Sequence, residues 1–165
     1  MDSSTADYRV VSNKEEIALE DFTRLMCDLG GLLQDPLGDR VDVLRYSRKL
    51  HERAELVVAI SNGEAQVATA AFYANDVVAK HSYLSFLAVR REYWGRGIGP
   101  TLLERMFEIL EEKGFVEVSC HVHRDDVKAI RMYSRCGFSL ISEDDRGFLM
   151  SAPVGGTRRR LSQAR

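Results

Sequence analysis

The segment Trp94-Gly95-Arg96-Gly97-Ile98-Gly99-Pro100-Thr101-Leu102-Leu103 carries three glycines at alternate positions, between an apolar run and a helical pattern. Glycine lets a backbone approach a ligand closely and adopt torsions that a Cβ would forbid. Pro100 suits the first turn of a helix, because its φ fits there and its missing N–H leaves no bond unmade. The free N–H groups of a helix N-terminus attract anions. The segment therefore predicts a site for phosphate or pyrophosphate.

The two common nucleotide-binding patterns do not fit this loop. The Walker pattern, counted from Gly95, requires a second glycine followed by lysine, but Pro100 stands there and no lysine follows. The dinucleotide pattern, begun at Gly97 and Gly99, requires a third glycine where Leu102 stands. Three alternate glycines are weak as a signal on their own, so a purely structural turn remains the alternative to an anion site.

The rest of the chain alternates between helical and strand-like patterns, which predicts an α+β domain. Residues 82–89, before the loop, predict a buried strand, and residues 101–110, after it, carry a helical apolar face. Asn62-Gly63 predicts a tight hairpin turn, because both residue types accept positive φ. The other predicted elements are strands at 8–11, 56–61, 65–73, 116–123, 138–141 and 148–150, helices at 14–33 and 41–50, a helix marked by Val127, Ile130 and Tyr133 that stops at Gly137, and turns at 75–76 and 143–145.

The composition is that of one globular domain: 165 residues, 45% hydrophobic and 29% charged, with a net charge of −2. We expect this domain over residues 1–154 and a flexible basic tail, with Arg158-Arg159-Arg160, over residues 155–165. No apolar run approaches the roughly 20 residues of a membrane span, and the polar start is not a secretory signal. Three cysteines show no metal-ligand spacing: Cys27, Cys120 and Cys136. We therefore expect a cytoplasmic protein with free thiols and no metal, and neither nucleic acid nor membrane as partner.

Two segments of the chain carry longer motifs, one around the glycine loop and one around Tyr133. Residues 84–103 read as a strand, Ala-Val, polar residues, an aromatic residue and then xGxGxGxxLL. This segment resembles the acetyl-CoA-binding motif of the GCN5-related N-acetyltransferase (GNAT) superfamily. Residues 126–138 read Asp-x-x-Ala-x-x-x-Tyr-x-x-x-Gly-Phe, where the family begins with Asn. The motifs stand in the family's order, about 30 residues apart, and the resemblance covers residues 56–150 well.

The resemblance implies a single domain with a mixed, mostly antiparallel sheet, flanked by about four helices and splayed so that acetyl-CoA lies between two strands. Main-chain groups of Leu87, Ala88 and Val89 would bind the pantetheine arm and thioester, and the Val89 N–H would be the oxyanion donor. The residues implied to line the pyrophosphate are Gly95, Arg96, Gly97, Ile98, Gly99 and Pro100. Trp94 departs from the arginine or glutamine that usually opens the loop. Asp126 replaces the family's cofactor-binding asparagine, and helix N-capping accounts for it equally well.

Acetylation of an amine needs a proton acceptor, a stabilised oxyanion and a proton for the departing thiolate. The resemblance implies that Tyr133 contacts the cofactor and protonates the CoA sulfur, since a phenol (pKa about 10) and a thiol (about 8.5) are near enough for transfer. A core tyrosine is the structural alternative. His121 stands where the branch acting on protein N-termini carries a glutamate, and an imidazole can accept a proton near neutral pH. His123 and His81 are weaker candidates for this base, and Ser85 could orient a water.

We therefore expect an N-acetyltransferase with acetyl-CoA as co-substrate. The expected acceptor is a primary amine of a small molecule, which attacks the thioester directly in a ternary complex. Residues 72–76 are similar to those of members thought to act on amino sugars or sugar nucleotides. A peptide or protein N-terminal amine and a non-catalytic acyl-CoA-binding regulatory module are the alternatives. The resemblance also implies a homodimer as a candidate assembly.

Overall fold

The computed structural model describes residues 7–32 and 42–155, and seven strands and four α-helices lie in these ranges. The strands are β1 (Tyr8–Val11), β2 (Glu55–Ser61), β3 (Gln66–Asp76), β4 (His81–Val89), β5 (Glu117–Val122), β6 (Ser139–Asp144) and β7 (Gly147–Pro153). The helices are α1 (Leu19–Gly30), α2 (Val43–Arg53), α3 (Ile98–Glu112) and α4 (Val127–Arg135). Short 3-10 helices at Lys14–Glu16 and Arg91–Tyr93 precede α1 and α3.

The seven strands form one mixed sheet in the order β1-β2-β3-β4-β5-β7-β6. Neighbouring strands are antiparallel except β4 and β5, which are parallel. One core lies between the sheet and the helices α1 and α2, around Phe22 and Leu50. The other core joins the opposite face to α3 and contains Leu103 and Met106. The predicted α+β fold, with a mostly antiparallel sheet and four flanking helices, is confirmed.

Strands β4 and β5 pair only over their first halves. The register begins with His81 opposite Glu117 and ends with Leu84 opposite Cys120, whereas β4 continues to Val89. Beyond Leu84, one edge of β4 therefore has no neighbouring strand in the described sheet. We call the space along this edge the β4–β5 gap.

A β-bulge in β4 lies where the gap begins. Phe86 faces Ala71 of β3, and Leu84 faces the next residue, Phe72, so Ser85 is the extra residue. A bulge bends its strand and increases the local twist. The bulge thus coincides with the point where β4 leaves β5, directly after Leu84.

The helix predicted at residues 14–33 is interrupted near its start. Asn13 caps the first 3-10 helix by accepting the N–H of Glu15 at 3.1 Å, and Ile17 then leaves helical geometry with φ −114° and ψ 86°. Ile17 is fully buried. Burial of this apolar side chain offsets the helical bonds lost at the break, and α1 begins only at Leu19. Residue 33 lies outside the described residues.

Two other helices have different bounds from those predicted. Helix α2 begins behind Asp42, whose carboxylate accepts the N–H of Arg45 at 3.2 Å, and runs to Arg53 rather than residue 50. Residue 41 lies outside the described residues. Helix α3 begins at Ile98 rather than residue 101, and Pro100 lies in its first turn, where its residue type indicated.

The predicted turn at Asn62-Gly63 is present, but Glu64 is the residue there with positive φ, at 66°. The next turn comes later than predicted, because β3 continues to Asp76. The turn predicted at 143–145 falls at residues 145–146, since β6 extends to Asp144 and β7 begins at Gly147. Of the predicted tail, residues 156–165 lie outside the described residues. None of the helices in the described ranges is both long enough and apolar enough to cross a membrane.

Candidate functional site

The edge of β4 along the β4–β5 gap presents the main-chain groups of alternate residues. Arg90 donates its N–H to the carbonyl of Val67 at 2.8 Å, so residue 90 bonds toward β3. Consecutive residues of a strand direct their N–H and C=O groups to opposite sides. Ala88 therefore also bonds toward β3, whereas Leu87 and Val89 direct their main-chain groups into the gap. Two of the three residues predicted to bind the thioester arm thus have N–H groups that face the gap.

The side chain of Trp94 connects the glycine loop to the end of β4 by a hydrogen bond. Its indole N–H donates to the carbonyl of Val89 at 2.7 Å. The guanidinium of Arg91 lies 5.4 Å and the ammonium of Lys128 5.3 Å from the centroid of the indole ring. Both distances are within the range of cation–π attraction. Trp94, which departs from the family motif, therefore has two positively charged side chains against its ring beside the gap.

The glycine loop has the backbone that its sequence predicts. Gly95 and Gly97 have φ of +77° and +73°, in the left-handed region that favours glycine. Gly97 is the N-cap of α3. The Gly97 carbonyl accepts two hydrogen bonds from Thr101, one from the backbone N–H at 3.1 Å and one from the side-chain hydroxyl at 2.9 Å. The first helical N–H groups, before Thr101, have no acceptor within the helix. Pro100 contributes no N–H to this row.

The side chain of Arg96 turns to contacts within the protein. Its guanidinium lies 2.9 Å from the carboxylate of Asp7, donates to the carbonyl of Glu92 at 3.3 Å and lies 4.8 Å from the ring centroid of Tyr93. Only the backbone of Arg96 is therefore left for the predicted anion site, because its side chain connects the loop to Asp7, just before β1.

Tyr133 is buried on α4, with its ring edge-on to Phe138 at a centroid distance of 5.2 Å. Burial is the main cause that raises the pKa of its phenol well above the usual value, and neighbouring groups that include Cys120 and Tyr83 raise it further. The hydroxyl therefore stays protonated at neutral pH. Within the described ranges this hydroxyl has no hydrogen-bond partner, so its proton remains available to a ligand.

His121 is held at both ring nitrogens. Its Nδ1 lies 2.8 Å from the hydroxyl of Tyr83 on β4, and its Nε2 lies 2.9 Å from Oδ2 of Asp144 at the end of β6. The His121 side chain is only 13% exposed. Burial raises the pKa of Tyr83, while the hydrogen bond from His121 is the main cause that lowers the pKa of Asp144. The three side chains form a continuous chain from the β4–β5 pair to the β6–β7 hairpin.

The other histidines on β5 and β4 lie in different surroundings. His81, at the start of β4, faces the Ser119 hydroxyl at 2.7 Å and belongs to a polar cluster with Ser151 and Glu117. His123 follows β5, and its Nδ1 accepts the N–H of Asp125 at 3.2 Å. Within the described residues, neither forms a hydrogen bond with Tyr83 or Asp144, so neither belongs to the hydrogen-bonded chain that holds His121.

Two other candidates have clear partners. Ser85, the bulge residue, makes a 2.7 Å hydrogen bond with the hydroxyl of Tyr46 on α2. Asp126 is the N-cap of α4, and its carboxylate accepts the N–H of Ala129 at 3.0 Å. The capping role of Asp126, one of two roles the sequence left open, is therefore present.

Sequence reasoning missed Tyr83, Tyr46 and Asp144. Tyr83 had a usable signal, because His81, Tyr83 and Ser85 alternate with apolar or small residues along β4. Asp144 had no such signal in the sequence, since it is 23 residues away from His121 and meets it only through the strand register. Within residues 7–32 and 42–155, no group of three or more His, Cys, Asp and Glu side chains is arranged to hold a metal ion.

Residues 19–138 match the Acetyltransferase (GNAT) family. This match covers well over half of the chain, and it includes the β4–β5 gap, the glycine loop and Tyr133. The chain therefore belongs to the GNAT acetyltransferase family.

Individual relatives match over shorter stretches. The spermidine N(1)-acetyltransferase of Thermoplasma acidophilum is 31% identical over 74 residues, which are 45% of this chain and 46% of that protein. The ribosomal-protein-bS18-alanine N-acetyltransferase of Salmonella typhimurium is 34% identical over 70 residues, 42% of this chain and 47% of that protein. The chain thus spans about half the length of the curated relatives it matches.

Among solved structures, the PaiA N-acetyltransferase of Thermoplasma acidophilum in complex with coenzyme A has a similar fold. The TM-score is 0.69, with 17% sequence identity over 90% of this chain and 99% of that chain. At this identity the likeness establishes a common fold.

Proposed function

We propose that this protein is an acetyl-CoA-dependent N-acetyltransferase that transfers an acetyl group to a primary amine. The observation that carries the proposal is the meeting of two main-chain features at one site. The open edge of β4 offers the N–H groups of Leu87 and Val89, and the glycine loop beside it offers the free N–H groups of the first turn of α3.

Acetyl-CoA fits these two features by its chemistry. Its pyrophosphate is an anion that suits the N-terminus of α3, behind the left-handed glycines Gly95 and Gly97. Its pantetheine arm contains amides that can continue the ladder of β4 along the gap. The Val89 N–H is directed into the same gap and would stabilise the oxyanion that forms at the thioester carbonyl. Bound acetyl-CoA supplies an activated acyl group with a thiolate as leaving group.

We assign proton acceptance to His121 acting through Tyr83. A carboxylate only accepts hydrogen bonds, so Asp144 requires a proton on Nε2 of His121. In a neutral ring Nδ1 then has no proton, and it accepts a hydrogen bond from the Tyr83 hydroxyl. An amine that meets the other side of the Tyr83 oxygen passes its proton to this oxygen, and the hydroxyl proton moves to Nδ1. This interpretation changes the sequence-based expectation of His121 as a direct base.

We assign proton donation to Tyr133. In the reaction the amine nitrogen forms a bond to the acetyl carbon, and the bond from that carbon to sulfur breaks. The departing thiolate takes its proton from the Tyr133 phenol, which burial keeps neutral at physiological pH while also making it a weaker acid than a free phenol. The site thus supports direct transfer in a ternary complex, with one group to accept a proton and another to donate one.

The acceptor is proposed to be a small-molecule amine, with an amino sugar or sugar nucleotide as the sequence-based candidate. A peptide N-terminus is the second candidate. The matched relatives are a spermidine N(1)-acetyltransferase and an enzyme named for alanine of a ribosomal protein, so both classes belong in a test.

The test follows CoA release from acetyl-CoA with a thiol-reactive dye. The panel contains spermidine, glucosamine, an amino-sugar nucleotide, free amino acids and a peptide that begins with alanine. We expect release with one acceptor class and a large loss in Tyr133→Phe measured in parallel. If no amine on the panel gives release but calorimetry detects acetyl-CoA binding, the result favours the acyl-CoA-binding module over acetylation of these acceptors. If acetyl-CoA does not bind, the glycine-loop assignment is wrong.

A further inference from the structure

We propose that Asp144 is a positioning residue, which fixes His121 in the tautomer protonated on Nε2 and so makes Nδ1 the acceptor of the Tyr83 proton. This inference rests on the proposed function for its catalytic meaning, but the tautomer can be measured without any acceptor. The β6–β7 hairpin thereby becomes part of the reacting site, although it lies outside both family motifs.

The hairpin holds Asp144 from several sides. Its Oδ1 accepts the backbone N–H of Arg146 at 2.8 Å, while its Oδ2 faces His121. Arg124, which follows β5, donates to the Asp144 carbonyl at 2.7 Å and pairs with Glu143 at 3.0 Å. The two carboxylate oxygens of Asp144 therefore have separate, fixed partners.

The start of β7 packs closely against the end of β5. Gly147 has φ +118°, and an added Cβ would collide with the carbonyl oxygen of Val122. Only glycine fits this approach, which sets the distance between the hairpin and the strand that carries His121. This backbone approach therefore holds the end of β6, with Asp144, beside the strand that carries His121.

The charges around His121 favour an ionised Asp144. The imidazole faces Tyr83 from β4 and Asp144 from β6, and the Arg146 guanidinium lies 3.9 Å from the same carboxylate. Arg124 and Glu143 neutralise one another beside them. The hydrogen bonds from His121 and from the Arg146 N–H lower the pKa of Asp144. An ionised carboxylate can only accept, which determines which ring nitrogen carries the proton.

Asp144→Asn should invert this tautomer. The backbone N–H of Arg146 still needs an acceptor, so the amide oxygen takes the Oδ1 position and the NH2 group faces His121. Nε2 must then accept, and the proton moves to Nδ1, opposite the Tyr83 oxygen. Glu143→Gln is the matched control, because it removes the same charge one residue away without touching His121.

Nitrogen-15 NMR of the full chain with labelled histidine measures the outcome directly. The His121 signals are assigned by their loss in His121→Gln. We expect the Nε2–H pattern in the parent, in Glu143→Gln and in Tyr83→Phe, and the Nδ1–H pattern in Asp144→Asn. A parent with Nδ1–H, or an Asp144→Asn spectrum that matches the parent, would overturn the proposal.

Turnover gives the second readout, with spermidine and the alanine-initiated peptide as probes. Asp144→Asn should lower kcat at least tenfold and leave the Kd for acetyl-CoA unchanged, while Glu143→Gln keeps parent turnover. Inverted NMR signals with parent-like kcat would reject the positioning role. If the parent acetylates neither probe, the proposed function is in question for these acceptors, and the NMR result still decides the tautomer.

Discussion

A Cβ built on Gly99 would lie 2.8 Å from Sδ of Met132, so the first turn of α3 touches the helix that carries Tyr133. The glycine at this position therefore serves packing between two helices. Its neighbours Gly95 and Gly97 serve a different purpose, since both have positive φ and an added Cβ would meet no described atom within 4 Å. Gly99 is thus the packing contact between two parts of the proposed site. One is the loop that is expected to bind pyrophosphate, and the other is the helix that is expected to supply a proton.

Gly99→Ala should destabilise the protein by about 1 kcal/mol, since overpacking a filled site costs roughly 1–3 kcal/mol and a methionine end can partly yield. In a Met132→Ala background the same substitution should be neutral or stabilising, because alanine favours helix over glycine by about 1 kcal/mol. A double-mutant cycle by urea unfolding measures this. Equal effects of Gly99→Ala in both backgrounds would contradict the contact.

Gly97→Val should weaken acetyl-CoA binding and lower stability by at least about 1 kcal/mol, because a β-branched residue at φ +73° is strained. Its side chain would occupy open space beside the free N–H groups of α3. Gly31→Ala is the control, since that position is also open but has φ −75°. Full affinity for acetyl-CoA by calorimetry would show that the loop is not the anion site.

Tyr133→Phe should retain acetyl-CoA affinity and lose turnover at neutral pH. The substitution keeps the ring against Phe138 and removes only the hydroxyl. Proton transfer by a positioned acid typically contributes 10²–10⁴-fold, so we expect kcat to fall by about a hundredfold or more. Parallel calorimetry and turnover measurements test this, and unchanged kcat would return Tyr133 to a purely structural role.

His121→Ala should flatten the rise of the rate with pH and lower turnover at least tenfold. His81→Ala and His123→Ala are the matched controls, because in the described residues neither histidine is hydrogen-bonded to Tyr83 or Asp144. Rate–pH profiles of the three variants distinguish the candidates. A parent-like profile for His121→Ala would assign proton acceptance elsewhere.

Stability should fall in alkaline solution partly because of Cys120. Burial raises the pKa of its thiol from 9.0 to about 12, so above pH 9 the unfolded chain loses a proton that the folded chain keeps. The unfolded state then binds fewer protons, and the free energy of unfolding falls by up to about 1.4 kcal/mol per pH unit through this group. Urea unfolding at pH 8 and pH 10 should show a smaller difference for Cys120→Ala than for the parent. Cys27→Ala, at an exposed thiol, should retain the parent's difference.

Local patterns predicted much of the fold. The alternation in β5 and the apolar face of α3 were visible as periodicities, and the left-handed glycines Gly95 and Gly97 follow from residue type. Element ends were less predictable. Ile17 interrupts a helical pattern because its side chain is buried in a core formed by residues distant in sequence. Local helix propensity does not depend on those residues, so it could not predict the break.

The candidate site divides in the same way. Val89, Tyr133 and His121 stood out from the motif and its spacing, whereas Tyr83 and Asp144 became relevant only through their contacts with His121. The sequence also could not predict that the main-chain groups of Ala88 point toward β3. Their direction depends on which residues of β4 form backbone hydrogen bonds with β3.

The sequence by itself determined the family, the glycine loop and the period of each principal element, because these depend on residue type and spacing along the chain. Only the tertiary structure decided where β4 leaves β5, which main-chain groups of β4 face the gap and which side chains hold His121. These features depend on strand register and on a bulge at Ser85, and a shift of one residue in register exchanges the two faces of a strand.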